Sequence, residues 1–435
     1  MSLLKEIFAH EVFPSVGCTE PISCAYAAAA AAEQLGAPVK KIELIVDMGT
    51  YKNGSEVIIP KSGGNRGNAI AAAIGAIIAK PDMRMEILQN IPEGVLKKAC
   101  ELVNSGNFKY SCKRDEPSLY IEIKLEDDNS HAQCIIKDGH TNIVSLKKND
   151  ISITQSQADN GLAYRDKMRQ KTLCEVLREI INIDSEDRAY IQKGIDMNMA
   201  ISEKGIDVKK NAYYLHQMVK SGYKADDLFY RVSKRVSAAV DARMGGVPQP
   251  IMTSGGSGNQ GVLTILLPYI IGRHQDVELS RIQESIAIGH AVNSYIKCFT
   301  GELSTICGCA ISASIASAIA LVYQRVGIDE KKFTFAVNNI IGDLCGMMCD
   351  GAKFGCSMKI VTGAETAMRS AFMALSDYGI SENEGMLGRS IEESIRNLST
   401  ISLKGMGLVN LVTTDILQGK TAEPRLCHLC PMCRE

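Results

Sequence analysis

The pattern of apolar and polar positions divides the chain into stretches of different period. Residues 2–12 space their apolar side chains as a short amphipathic helix does, and Pro14 interrupts it. An alanine-rich helix follows to about Leu35-Gly36. Thr19 is the expected N-cap, Pro21 suits the first turn and Gly36 the stop. From about Lys40 the period shortens. Ile42–Met48 and Glu56–Pro60 read as strands around a Lys52-Asn53-Gly54 turn. Further on, the pattern predicts a helix over 68–79, a strand near Met85–Leu88 and a helix near 93–104. Strands are expected near 108–112, 118–125, 131–137 and 142–147. The polar stretch Asp150–Arg165 reads as a linker, and from about 171 to 415 the periodicity is nearly all helical.

These elements predict an α+β fold, with a large all-helical domain and a smaller α/β domain holding a mixed sheet. Residues 1–37 are expected to pack as N-terminal helices on the helical domain. The α/β domain is expected over 38–155, the helical domain over 165–420 and a Cys-rich tail over 421–435. At 435 residues the chain exceeds the usual size of one domain, and a hydrophobic share of 46% suffices for two cores.

Composition narrows the function. A net charge of −1 gives no basis for nucleic acid or an anionic membrane as partner. The N-terminus lacks the basic start and apolar core of a signal peptide, and the Ala27–Ala32 run is too short to span a bilayer. A cytoplasmic, reducing location is therefore expected. There, 15 cysteines mean metal, catalysis or buried packing rather than disulfides. Monomer and homo-oligomer both remain open.

Three cysteines in the last third carry the sharpest signal. Cys309 lies in Cys307-Gly308-Cys309-Ala310, while Cys349-Asp350-Gly351 and Gly355-Cys356 lie on loop-like segments. Their separations, 40 and 7 residues, match no regular metal motif, so spacing alone leaves metal binding and packing open. Cys307 and Cys345 are the nearest alternative ligands. Cys18, in Gly17-Cys18-Thr19-Glu20-Pro21, precedes a helix start, where the dipole favours a thiolate and a lowered pKa. Two Ser-Gly-Gly turns could present N–H groups to a carboxylate: Ser62-Gly63-Gly64-Asn65 and Ser254-Gly255-Gly256-Ser257 with Asn259. Arg243 could add a bidentate clamp. Asn68, Glu20 and Glu302 read as helix-end polar groups. The tail, Cys427-His428-Leu429-Cys430-Pro431-Met432-Cys433, has metal-site spacing but stands apart.

The segment Thr300–Ala313, with Cys349-Asp350 and a later cysteine, resembles the cluster-ligand segments of the iron–sulfur L-serine dehydratase alpha-chain superfamily. Gly17–Pro21, Asp241–Gly246, Ser254–Gly261 and Cys307-Gly308-Cys309 together resemble its L-cysteine desulfidase branch, over roughly residues 5–415. The resemblance implies a [4Fe-4S] cluster held by Cys309, Cys349 and Cys356 with one open iron. It implies a lyase that takes L-cysteine, a small-molecule amino acid, to pyruvate, ammonia and hydrogen sulfide without pyridoxal phosphate. Cys18 is then the candidate base. The same machinery acting on L-serine is the alternative. A non-catalytic metal or redox-sensing protein is the reading from another class, with four cysteine ligands and no use for the Gly-rich turns.

Overall fold

The structure is a computed structural model and describes residues 2–116, 119–153 and 163–422. Helix α1 (Leu3–Glu11), strand β1 (Pro14–Ser15) and helix α2 (Thr19–Leu35) open the chain. Then follow β2 (Lys41–Asp47), α3 (Met48–Gly54), α4 (Gly67–Ile78), α5 (Val95–Asn104), β3 (Phe108–Lys113), β4 (Tyr120–Glu126), β5 (His131–Lys137), β6 (Ile143–Lys148) and β7 (Ile151–Ser152). The helical part comprises α6 (Ala163–Arg169), α7 (Leu173–Ile180), α8 (Ser185–Gly205), α9 (Asn211–Lys220) and α10 (Leu228–Met244). After strand β8 (Ile251–Met252) come α11 (Gly258–His274), α12 (Leu279–Thr300), α13 (Ser312–Val326), α14 (Glu330–Leu344), α15 (Cys356–Leu375), α16 (Ile391–Thr400) and α17 (Gly407–Ala422).

The fold is α+β with two hydrophobic cores. In the smaller, six strands run in the order β3-β2-β4-β5-β6-β7; β2 and β3 are parallel and the other neighbours antiparallel. Period-2 alternation sends Ile121, Ile123 and Leu125 of β4, and Ala132, Cys134 and Ile136 of β5, into the core. Helices α2 and α4 cover that face. The alanine run of α2 lets α4 approach so closely that a Cβ on Gly75 would lie 2.0 Å from the Ala25 carbonyl oxygen. The larger core is built by the helices from α6 onward, with α11, α12 and α13 buried along most of their length.

Several expectations change. Residues 1–37 do not act as one group. Helix α1 packs in the helical core through Leu4, Ile7 and Phe8, whereas α2 beyond Ile22 belongs to the α/β core, because its small side chains fit the sheet and α4. The chain crosses between the cores at Cys18. Strand β1 anchors this crossing by pairing antiparallel with β8, Pro14 opposite Met252 and Ser15 opposite Ile251. Cys18, not Thr19, is the N-cap of α2, and its side chain makes no capping bond. The Lys52-Asn53-Gly54 turn is instead the end of helix α3. Asp47 caps that helix by accepting from the amides of Gly49 at 2.8 Å and Thr50 at 3.1 Å, which converts the strand end into a helix. Glu56–Pro60 makes only an isolated bridge, Ile58 to Arg66. The expected strand near Met85–Leu88 overlaps a 3-10 turn, Pro81–Glu86, with Met85, Ile87 and Leu88 buried in the α/β core. Most of the expected linker, residues 154–162, lies outside the described residues, as do Cys427, His428, Cys430 and Cys433 of the tail. No helix among the described residues is long and apolar enough to cross a membrane.

Candidate active site

Two short loops bring the cysteines together. Ile306 bridges Met348 antiparallel, the Cys307 amide donates to Met347 O at 2.8 Å and the Cys349 amide donates to Thr305 O at 2.7 Å. This pairing sets the Cys307–Cys309 loop beside Cys349. Cys356 enters as the first residue of α15. The result is a cavity lined by Cys18, Cys307, Cys309, Cys349 and Cys356, together with Arg243, Ser257 and Asn259. Spacing of 40 and 7 residues thus resolves into one chamber only through tertiary packing.

A second cavity shares the Glu20, Asn53, Ser257, Cys309 and Cys349 wall. It adds His140, Gln260, Lys297 and Glu302. Helices α2, α11, α13 and α15 all begin in residues that line these two cavities. Four helix starts around one space favour negative charge there, through their free N–H groups and dipoles.

The thiols differ in character. Cys309 is held down to about 7 by a hydrogen bond from Cys307, with the Ser257 hydroxyl, 3.7 Å away, and the Arg243 charge acting in the same direction. Cys356 is pushed up to about 12 by burial. Cys18 is also pushed up to about 12 by burial, against the pull of Arg243. The expected low pKa at the helix start is therefore overturned, since desolvation outweighs the dipole at this fully enclosed position. Cys349 Sγ lies 3.7 Å from Asn53 Oδ1, and Cys356 Sγ lies 3.7 Å from the Gly351 carbonyl oxygen.

Arg243 is fixed rather than free. Its Nε donates to Gly17 O at 3.0 Å and its Nη1 to Asn259 Oδ1 at 2.9 Å. Ser254 is buried beneath its turn, with Oγ 2.9 Å from both His290 Nδ1 and Asn293 Nδ2. Gly255 lies against Lys297, and Gly256 against His140 and Glu302. The Ser62–Asn65 turn is not brought to either cavity. Ser62 Oγ donates to Ile59 O at 2.7 Å, Asn65 Nδ2 donates to Ser62 O at 2.6 Å, and Gly63 and Gly64 are exposed. Its polar groups close the turn itself, which leaves them unavailable to a substrate. Asn68 lies buried in α4, with Nδ2 donating to Thr50 O at 2.9 Å.

Reading the sequence missed a buried ionic chain behind the second cavity. Arg165 bridges Glu11 at 2.7 Å and Glu302 at 2.6 Å, and Glu302 also pairs with Lys297 at 2.9 Å. Burial works against the Glu302 carboxylate, yet Arg165 and Lys297 hold its pKa well below the usual range. His140, from the β5–β6 loop, is kept neutral by burial. It and Asn53 come from the α/β domain, so the site lies between the two cores. No local pattern marks either residue. The signal available was Glu20 and Glu302, both within the motif stretches and both read as helix-end groups.

Among the described residues, no three His, Cys, Asp or Glu side chains converge tightly enough to hold a single metal ion. The thiols surround a chamber instead. An all-sulfur donor set on the walls of a cavity fits an iron–sulfur group, which thiolates hold and which fills a larger space than one ion.

A family model described as the serine dehydratase alpha chain matches residues 95–413. The chain belongs to the serine dehydratase alpha-chain family. This family match contains Cys309, Cys349 and Cys356 but starts after Cys18, Glu20 and Asn53. Whole-length relatives cover those as well. A UPF0597 protein of Geobacter sulfurreducens is 44% identical over 98% of this chain and 100% of its own length. One from Elusimicrobium minutum is 41% identical over 97% of this chain and 100% of its own length. One from Clostridium tetani is 35% identical over 95% of this chain and 98% of its own length. No solved structure matches the serine dehydratase alpha-chain member described here.

Proposed function

We propose that this protein is an iron–sulfur-dependent lyase that eliminates hydrogen sulfide from L-cysteine, leaving pyruvate and ammonia. The observation that carries the reading is the chamber in which Cys18 faces Cys309, Cys349 and Cys356. In this reading those last three thiolates hold a [4Fe-4S] cluster, which supplies a thiophilic Lewis acid to the leaving sulfur when bound.

The chain's own residues do the rest. Elimination needs the α-proton removed as the Cβ–S bond breaks. Cys18 is the base in this scheme, acting as the ionised fraction of a thiol that burial keeps largely protonated, and the fixed Arg243 charge is the group that favours that thiolate. The electron pair from the Cα–H bond forms the Cα–Cβ double bond, and the sulfur leaves with its bonding pair and takes a proton. The aminoacrylate released tautomerises, and water hydrolyses it to pyruvate and ammonia. The serine dehydratase description of the family favours a second substrate, L-serine, whose hydroxyl would take the place of the thiol. The Gly17-Cys18-Thr19-Glu20-Pro21 motif, by which the chain resembles the desulfidase branch, favours the thiol.

Anaerobic reconstitution with iron and sulfide, followed by sulfide and pyruvate assays on L-cysteine and L-serine, tests the reading. Release of neither product by fully loaded protein would refute it. Cys18→Ala is expected to lower turnover about 100-fold while the cluster absorbance stays intact. Cys349→Ala is expected to lose the absorbance itself, and retention of a full cluster would exclude Cys349 as a ligand.

A further inference from the structure

Glu20 is a buried carboxylate, 6% exposed, at the first turn of α2 and on the wall shared by both cavities. Its oxygens accept from Asn53 Nδ2 at 3.0 Å and Thr19 Oγ1 at 3.3 Å, two uncharged groups. Among the described residues, no basic side chain forms an ion pair with it. The neighbouring buried carboxylates are treated differently: Glu11 holds Arg165, and Glu302 holds Arg165 and Lys297. That chain balances two acids with two bases and leaves no cation over. A buried carboxylate without a cation is costly and calls for a positive group at its open side.

The same cavity holds two further unmet needs. His140 Nε2 and Gln260 Oε1 are buried without a hydrogen-bond partner. His140 is only 7% exposed, and Gly256, lacking a side chain, lets its ring lie against the turn. Orphaned polar atoms of this kind are rare in native interiors and call for a partner.

We infer that Glu20 receives the α-ammonium of the amino-acid substrate and that His140 Nε2–H donates to its α-carboxylate. This rests on the lyase reading above and deepens it. Glu20 and Cys18 line the same cavity, so an ammonium held at Glu20 keeps the adjacent Cα near the base. The side chain then extends toward Cys309 and Cys349, which border both cavities. Recognition of the head group thereby needs both cores, His140 from one and the cysteine loops from the other.

Two thiols separate the contacts. Cysteamine keeps the ammonium and lacks the carboxylate, and 3-mercaptopropionate does the reverse. Calorimetric titration of the anaerobically reconstituted full chain gives the affinity of each. Glu20→Gln is expected to weaken cysteamine about 30-fold and leave 3-mercaptopropionate unchanged. His140→Ala is expected to weaken 3-mercaptopropionate about 10-fold and leave cysteamine unchanged. Equal weakening of both ligands by either variant, or unchanged affinity for its own ligand, overturns the assignment. Wild-type protein supplies a check free of folding defects: L-cysteine must bind at least about 30-fold more tightly than 3-mercaptopropionate, read as KM against inhibition constant where it turns over and by titration where it does not. Wild type that makes this distinction but releases no sulfide or pyruvate refutes the lyase reading and leaves the head-group assignment standing. Wild type that releases both products without making the distinction overturns the assignment alone.

Discussion

The two Ser-Gly-Gly turns, at Ser62 and Ser254, share a sequence and have opposite fates. The first sits in the α/β domain, spends its hydroxyl and amide on its own carbonyls and exposes both glycines. The second is buried, held from below by His290 and Asn293, and presses its glycines against Lys297, His140 and Glu302. Local chemistry is the same in both. What differs is the neighbour: a polar face of α12 carrying His290, Asn293 and Lys297 underlies one turn, whereas the other receives from a neighbouring helix only the Cys100 thiol on Asn65, among the described residues. A Gly-rich turn becomes part of a site when another element satisfies its side chain and packs the turn beside a cavity.

Substitutions can break this contrast. The effect on activity is expected at the paired glycines. Gly256 has φ of 68°, and a Cβ there would touch His140 Nδ1 at 3.4 Å, so Gly256→Ala strains the turn against the imidazole at the cavity wall and should lower kcat/KM about 10-fold. Gly64 has φ of 93° but open space around it. Gly64→Ala should therefore cost about 1 kcal/mol in chemical denaturation and leave activity unchanged. If the two variants behave alike, the assignment of separate roles to the two turns is wrong.

Removing the hydroxyls sharpens the same contrast on stability. Ser254→Ala strips His290 and Asn293 of a shared buried partner and should cost about 2 kcal/mol, whereas Ser62→Ala should cost about 1 kcal/mol. The support beneath the buried turn also predicts a pH dependence. Burial lowers the His290 pKa to about 3, against about 6.5 when unfolded. Between these values the unfolded chain binds the proton and the folded chain does not, so stability falls as the pH falls. The loss between pH 7 and pH 5 should be about 2 kcal/mol, and denaturant titrations of His290→Gln should lack that part of the slope.

Period and composition made much of the fold legible. The alternation in β4 and β5 and the alanine run of α2 appear in the structure close to where the pattern put them. The misplaced elements have local causes: Asp47 caps a helix where Lys52-Asn53-Gly54 suggested a turn, and the apolar Met85–Leu88 run is buried without strand pairing. Cys309, Cys349, Cys356 and Cys18 were legible as a set through the motifs around them. His140 and Asn53 were not, since each belongs to a different domain from the cysteine loops and reaches the cavity by packing alone. Glu20 was visible but read as a cap residue, because the absence of a cation beside it is a property of three dimensions.

The pairing of β1 with β8 has a consequence for synthesis. Phe13 bonds Thr253 across 240 residues, and Glu11 accepts from Ser294 across 283. Strand β1 thus has no sheet partner, and Glu11 lacks Ser294, until 240 to 283 further residues have been made. At ~5–20 residues per second that wait lasts from roughly ten seconds to a minute. Cys18, tethered just beyond β1, cannot be seated before then. Cys309, Cys349 and Cys356, by contrast, reach each other through loops and helices made close together in time. Because Thr253 and Ser294 precede Cys309, Cys349 and Cys356 along the chain, Cys18 can be in place before those three thiols have all been made.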